Sequence, residues 1–541
     1  MLGFIQAILA IPALAAAASF PVIETNSGPV QGTNSPFRSG VTVYKGIPYA
    51  ASPAGPKRWT PPTKPKSWTK TLNATEFGPQ CAQPYSEAGI FSSGKNSTSE
   101  DCLTVNVWTP TYDTTDASEI KSKNLPVYVW IFGGRFEGGS GDVITYDGTG
   151  LASKDIIVVT LNYRLGAFGF LAHPDLSRES GHNSSGNYGI MDQQFALRWV
   201  HDNIAQFGGN SSQVTVGGQS AGSASALDMM WSPLSKGLIH GAIAESGARG
   251  PHDPATGSVA TSYTTKDVAE KFGVEFLQTM NVSSIAELRN ASMASLIGQG
   301  QLMESDYYDG TVFSDLWSGP PRWRPVIDGY VLPYGYGEAL RLGAHADVPI
   351  MTGNNLNEND GGASTVSEYK TLWTTVFQNY SSDFFSLYPA KSAAQAKENS
   401  DAVLLDMAQI GTWDWARMWR TGGAKSNIFR YFFDTAPAEN ESGGAYHGAE
   451  LWFVTNNIPY SDYSSVSWNE SDYKIESVMS SYWANFIKTG NPNGDGLTYW
   501  SPSSDNKTAM HLSQGFGAVP IAKSAERISF LRRWMSHLHE Y

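Results

Sequence analysis

Residues 214–230, VTVGGQSAGSASALDMM, decide how the rest of the chain is read. VTV belongs to the apolar β-branched runs that form buried strands, and the Ala- and Leu-containing stretch that follows has helical pattern. Between them stands Gly218-Gln219-Ser220-Ala221-Gly222, a G-x-S-x-G sequence in the context of a nucleophile elbow, with a strand before it and a helix after. Its glycines let the chain turn sharply at a strained serine, so that Oγ projects at the carboxyl edge of a sheet. Five residues of this kind also fit a structural Gly/Ser turn, and the flanking strand and helix are what favour the elbow.

Working outward, short apolar runs read as buried strands at 127–132 (VYVWIF), 156–161 (IIVVTL), 213–216 (QVTV), 240–244 (HGAIA) and 348–352 (VPIMT). Helical patterns at 191–204 and 221–231 lie between strand candidates. This alternation predicts an α/β class, with a mostly parallel twisted sheet covered by helices on both faces. Residues 264–303 read as a mainly helical, polar excursion from that sheet. Residues 525–539 read as a terminal amphipathic helix with Ile528, Leu531, Trp534, Met535 and Leu538 near one face. With no repeat, heptad run or low-complexity linker, residues 20–541 are expected to form one domain.

The 541 residues are 41% hydrophobic and 12% aromatic, enough to build a large core and to exclude an intrinsically disordered chain. Acidic side chains outnumber basic ones 50 to 37, a net −13, so there is no overall positive field to hold a nucleic acid. Residues 2–16 (LGFIQAILAIPALAA) are apolar apart from Gln6, and small residues at 15–19 offer an A-x-A-like cleavage site, so 1–19 reads as a signal peptide, though without Lys or Arg at its start. No later stretch reaches the ~18 apolar residues of a membrane span. N-x-S/T sequons occur at Asn73, Asn96, Asn183, Asn210, Asn281, Asn290, Asn379, Asn440, Asn469 and Asn506, which with the leader suggests a secreted, extracellular glycoprotein. Two cysteines, Cys81 and Cys102, exclude a disulfide-dense scaffold and a four-thiolate zinc site. In an oxidising compartment they default to one bridge, worth ~3 kcal/mol of chain entropy.

An acylated serine needs donors for its oxyanion. The Ala221 amide is one; the Gly-rich loop after strand 127–132, Gly133-Gly134-Arg135-Phe136-Glu137-Gly138-Gly139-Ser140-Gly141, supplies others. A phosphate cradle is the competing reading, but neither G-x-G-x-x-G nor G-K-[ST] is present. Asn355, Asn357 and Asn359 alternate as in a calcium loop, yet position 6 is Asp360 and position 12 Val366, so that reading fails. His447 and Glu450 have the spacing of a metal pair without a third patterned ligand, so neither metal nor organic cofactor is expected.

At this point the chain resembles the type-B carboxylesterase/lipase family of α/β-hydrolases, most of all its secreted fungal members. The likeness runs over nearly the whole mature chain through Gly46-Ile47-Pro48-Tyr49-Ala50, Arg58-Trp59, the 100–107 segment EDCLTVNV, the 130–134 segment WIFGG, Asn162-Tyr163-Arg164-Leu165-Gly166, Gly186-Asn187-Tyr188-Gly189 and the elbow. It implies an α/β-hydrolase fold with insertions forming the pocket, and a triad in the order serine, acid, histidine. The family pattern G-x-N-x-x-E-G falls on 353–358 and assigns the acid to Glu358. Asn359 stands where the pattern has glycine, and Asp360 is the fallback. The pattern G-x-x-H-G-x-E-L falls on 444–451 and assigns the base to His447, with Glu450 structural. Ser246 matches a supporting position near the acid, and Gln219, beside the nucleophile, is taken as a second supporting residue.

The resulting expectation is a serine ester hydrolase: His447 takes the Ser220 proton, Glu358 orients the imidazole, and Gly134, Arg135 and Ala221 amides hold the oxyanion. Three departures qualify it. Arg135 replaces a third glycine in the oxyanion loop, so its amide serves only if arginine tolerates that backbone, while its side chain could read a substrate carboxylate. Gln219 stands where cholinesterases have glutamate, and the 81–102 loop lacks a tryptophan to face choline. That loop is short and polar, with Tyr85, Ile90 and Phe91 its main apolar residues, unlike an interfacial lipase lid. Small to medium soluble esters are therefore favoured over triacylglycerol. The alternatives are a lipase, a dedicated natural-product esterase or acyltransferase, and a non-catalytic binding protein on the same fold.

Overall fold

The sheet expected around the elbow is present. In a computed structural model of the protein, the described residues are 20–541 apart from 85–88, 93–96, 259–261, 301, 315, 359–361, 459–465 and 504. The leader at 1–19, the Asn96 sequon, Tyr85, Asn359 and the fallback acid Asp360 lie outside them.

Among the described residues an 11-stranded sheet is made from β1 (Thr33–Asn34), β2 (Val41–Pro48), β3 (Thr104–Pro110), β4 (Leu125–Ile131), β5 (Ile157–Leu161), β6 (Gly209–Gln219), β7 (Gly241–Glu245), β8 (Ile350–Asn355), β9 (Ile428–Phe433), β10 (Thr508–Leu512) and β11 (Gly517–Pro520). Their order is 11-10-9-8-7-6-4-5-3-2-1. The block from β5 to β10 is parallel, with antiparallel pairs at both ends. All five strands expected from the sequence lie inside that parallel block, because a strand covered on both faces is apolar throughout and stands out as a run. The flanking strands carry polar residues between apolar ones and were not read.

Helices flank the sheet: α1 (Tyr188–Asn203), α2 (Ala221–Trp231), α3 (Lys266–Thr279), α4 (Val366–Phe377), α5 (Ala393–Thr421), α6 (Glu470–Thr489) and α7 (Ala525–Met535). The terminal helix stops at Met535, four residues short of its expected end, but Leu538 still packs against the apolar cluster beneath. The excursion after residue 264 is helical as expected, carrying α3 and two shorter helices, Ile285–Leu288 and Met293–Gly300. One apolar cluster surrounds the sheet, and a second joins α4, α5 and α7 through Trp373, Phe377, Trp413 and Trp534.

Cys81 and Cys102 are disulfide-bonded. Several landmark motifs turn out to be buried ion pairs that tie loops to this frame. Arg164, just beyond β5, donates through Nε and Nη2 to both carboxylate oxygens of Asp192 on α1, each at 2.7 Å. Arg58 grips Glu100 in the same two-pronged way at 2.6 and 2.5 Å, anchoring the far end of the disulfide loop. Among the described residues no helix is long and apolar enough to cross a membrane. The sequon asparagines Asn73, Asn183, Asn281, Asn290, Asn379, Asn440 and Asn469 are exposed, and Asn210 and Asn506 are half-buried.

Asp192 is fully buried, so neutralising it strands a guanidinium in the interior. Asp192→Asn is expected to lower the unfolding free energy by about 3–5 kcal/mol in calorimetry or denaturant titration.

Candidate active site

Four neighbouring strands deliver the candidate side chains to one edge. Gln219, Glu245, Gly353 and Tyr431 pair in one row across β6, β7, β8 and β9. Ser220 and Ser246 are the first residues after β6 and β7; Glu358 follows the end of β8, and His447 lies on the loop after β9. The carboxyl edge of a parallel block is where open α/β sheets gather functional groups.

Ser220 links β6 directly to α2 at φ 59 and ψ −124, a conformation that ordinary residues avoid. The turn closes because the backbone packs without side chains. A Cβ on Gly222 would lie 2.0 Å from the Ile131 carbonyl oxygen, and one on Gly133 would lie 2.5 Å from the Gln219 carbonyl and 3.1 Å from the serine Cβ. The loop after β4 is thereby held against the elbow. Its far side is pinned by Gln83, whose side-chain amide exchanges two 2.8 Å hydrogen bonds with Gly139.

Three amides of the elbow and of the loop packed against it are unspent. Among the described residues, the N–H groups of Gly134, Arg135 and Ala221 donate to no protein acceptor. Arginine does adopt the loop conformation: Gly134, Arg135 and Phe136 follow one another at φ 101, 58 and 63. All three expected oxyanion donors are therefore free.

The acid and base meet as the motif alignment implies. Glu358 Oε2 lies 2.5 Å from His447 Nδ1, and Glu358 Oε1 accepts from Ser246 Oγ at 2.5 Å and from the Asn355 amide at 2.8 Å. The Glu358 side chain is 11% exposed and that of His447 is 38% exposed. Burial would raise the Glu358 pKa, but the His447 charge and these hydrogen bonds hold it below the ordinary carboxylate value. Burial opposes the His447 cation, yet the Glu358 charge and hydrogen bond outweigh it and leave the imidazole above its ordinary value.

A carboxylate at Nδ1 places the neutral ring's proton there and leaves Nε2 as acceptor. The Nε2 partner is the Gln219 side-chain nitrogen at 3.0 Å, and Ser220 Oγ makes no hydrogen bond among the described residues. Gln219, expected only as a supporting residue, thus occupies the lone pair that a serine proton would need.

Around these residues, sequence reasoning marked Glu450 as structural and singled out Arg135, but missed Glu245, Arg249 and Arg324. Glu450 is buried below the site, accepts from Asn355 Nδ2 at 2.5 Å, and is pushed up to about 7 by burial and by the Glu358 charge. Glu245, at the end of β7, accepts from Trp483 Nε1 and is raised well above its ordinary value by burial and Glu450. Arg249 and Arg324 join Arg135 in lining a cavity of about 240 Å³ shared with Ser220, Glu358 and His447. Arg249 follows the recognised Ser246 position by three residues; nothing near Arg324 in the sequence marks it. Ile90 and Phe91 from the disulfide loop reach Gly448, beside the histidine. Among the described residues no group of His, Cys, Asp and Glu could hold a metal ion.

A strained serine between strand and helix, with free amides beside it and a carboxylate-bound histidine across a cavity, is the site architecture of an α/β-hydrolase. The carboxylesterase family model matches residues 19–530, and the chain belongs to that family. It is a carboxylic ester hydrolase. Among its relatives, fumonisin B1 esterase of Sphingopyxis macrogoltabida is 34% identical, with 88% of this chain and 84% of that protein covered. Para-nitrobenzyl esterase of Bacillus subtilis is 32% identical over 88% of this chain and 92% of that one. Rabbit (Oryctolagus cuniculus) liver carboxylesterase 1 is 31% identical over 92% of each. A solved PNB esterase structure superposes with a TM-score of 0.75 at 28% identity, covering 95% of this chain and 99% of that one.

With His447 as the base expected from the sequence, the ring has to be neutral to accept a proton, and since its pKa lies above the ordinary 6.5, kcat/KM should fall as pH drops through a value above 6.5. Replacing the anion by Glu358→Gln removes that support. The acid limb should move to lower pH and kcat should drop on the order of 10³–10⁴-fold, read from pH–rate profiles of both proteins.

Proposed function

We propose that the protein is a secreted serine esterase that hydrolyses small to medium carboxylic esters through Ser220, His447 and Glu358. One observation carries the reading: the hydrogen-bonded series Ser246–Glu358–His447 lines the same cavity as Ser220, whose Oγ makes no hydrogen bond among the described residues.

In this mechanism the ester carbonyl oxygen enters among the amides of Gly134, Arg135 and Ala221. Gln219 releases Nε2, which takes the Ser220 proton as Oγ attacks the carbonyl carbon. Glu358, held ionised by Ser246 and the Asn355 amide, stabilises the imidazolium without taking its proton. The oxyanion gains strength from donors fixed before the reaction, so no reorganisation is needed as its charge develops. His447 then protonates the leaving alcohol and activates water against the acyl-enzyme. In the resting protein the Gln219 bond holds the ring facing the elbow and is exchanged for the serine when substrate enters.

Secretion rests on the leader at 1–19 and is supported by the exposed sequon asparagines and by the disulfide. Kinship with secreted fungal members and the action of residues 20–541 as one domain belong to the same proposal, resting on the landmark motifs and the continuous chain. Esters of moderate size are favoured because the described part of the disulfide loop lies close against Gly448, with Ile90 buried, and offers no broad apolar face for a lipid droplet.

Purified protein should hydrolyse p-nitrophenyl acetate and butyrate faster than palmitate, and Ser220→Ala should lower kcat on the order of 10⁶-fold. Equal activity of both proteins would remove Ser220 as nucleophile. A strong preference for emulsified palmitate would replace the esterase reading by a lipase.

A further inference from the structure

The cavity at Ser220 is unusual in its charge. The protein as a whole is acidic, at net −13, yet three of the side chains that line this cavity are arginines, Arg135, Arg249 and Arg324, against one carboxylate, Glu358, already committed to His447.

Two of the three guanidiniums are nearly buried and keep donors unspent. Arg249 is 6% exposed and bonds Asp253 through Nε at 2.6 Å; among the described residues its Nη1 and Nη2 donate to no protein atom. Arg324 is 2% exposed, meets Glu304 through Nη2 at 2.8 Å and the Pro321 carbonyl through Nη1, and its Nε has no partner. The third, Arg135, is exposed at the oxyanion loop. It pairs with no carboxylate among the described residues, and its Nη2 donates to the Gly319 carbonyl at 3.3 Å. Folding does not strand buried guanidinium donors without reason, because each unmet donor forfeits a hydrogen bond to water. Asp253 and Glu304 balance two of the charges from behind the cavity wall; the Arg324 Nε is itself sealed off, so Arg324 contributes charge, while Arg135 and the Arg249 Nη1 and Nη2 groups are the donors left for the cavity.

From this geometry we infer that the esterase accepts esters carrying a free carboxylate, such as half-esters of dicarboxylic acids, with the Arg135–Arg249–Arg324 cluster as the recognition element. The inference rests on the proposed role of Ser220 and adds the substrate class. A guanidinium fork matches a planar carboxylate with two parallel hydrogen bonds, and in a partly closed cavity such charge-assisted bonds are stronger than neutral ones. A neutral acyl chain would leave the same donors unmet and gain nothing from them. The free carboxylate can sit on the acyl or on the alcohol half, since both must pass the same cavity.

The test compares two matched pairs on the full-length protein, with enzyme-free blanks subtracted. Mono-p-nitrophenyl glutarate against its methyl ester places the charge on the acyl half; 4-acetoxybenzoate against its methyl ester places it on the leaving group. At low salt the free acid of one pair is expected to be favoured in kcat/KM by about tenfold or more, and added salt should shrink that advantage. The pair that shows it identifies the half that carries the charge. Arg135→Gly, which keeps the amide at a positive φ, and Arg249→Gln should each lower the acid-to-methyl-ester ratio. That ratio, taken within one preparation, is independent of how much of a variant folds. Methyl esters hydrolysed at least as fast as the free acids, or ratios unchanged in both variants, would overturn the inference and leave the serine-esterase reading standing. A folded protein that hydrolyses none of the four would remove that reading and this inference with it.

Discussion

Everything at the site depends on one close approach, the passage of the Gly-lined elbow across the end of β4. The Ile131 carbonyl leaves no room for a Cβ at Gly222, and Gly133 leaves none against the Gln219 carbonyl, so two loops from adjacent parallel strands share one van der Waals boundary. That contact holds the Ser220 backbone at φ 59 and keeps the loop that carries Gly134 and Arg135 against the elbow. Strain at the serine is held by the strand before it and the helix after it, which cannot relax independently.

The electrostatics are arranged in layers around this contact. Glu358, Glu450 and Glu245 are buried close together, and three such groups in a low-dielectric interior cannot all ionise. The one that bonds His447, Ser246 and the Asn355 amide stays charged; the two behind it are pushed upward and favour the neutral acid. The charge is thereby confined to the carboxylate that faces the imidazole. Above this layer the three arginines make the cavity positive within a negative protein. A cation near the ring, as Arg249 is, works against the imidazolium, so the balance at His447 is set by opposing neighbours.

Gln219 gives the resting site a second constraint. Its side chain holds Nε2 at 3.0 Å while Ser220 Oγ makes no hydrogen bond among the described residues, so the ring nitrogen is engaged by the residue next to the serine. Hydrogen bonds of catalytic groups commonly tighten or exchange only in the complex with substrate.

How far the chain could be read depended on how local the cause was. The elbow, the parallel strands β4 to β8 and the residues Ser220, Glu358 and His447 were legible because apolar runs and short motifs record local backbone needs: a buried strand is apolar along its length, and a sharp turn requires glycine. The landmark pairs Arg58–Glu100 and Arg164–Asp192 were legible as motifs though not as ion pairs. The 29-residue helix α5 went unread although its buried Ala396, Ser400, Val403, Met407 and Ile410 recur at three- and four-residue spacing, because polar residues interrupt the apolar stripe at its start. Tolerance of Arg135 in the oxyanion loop, the bond from Gln219 to His447, the stacked buried acids and the convergence of Arg249 and Arg324 on one cavity were decided by tertiary structure alone. Each joins residues tens to hundreds of positions apart whose side-chain directions follow from strand register and loop packing. The sequence by itself determined which chemistry the edge of the sheet carries, and the folded arrangement decided the charge of the space in which that chemistry takes place.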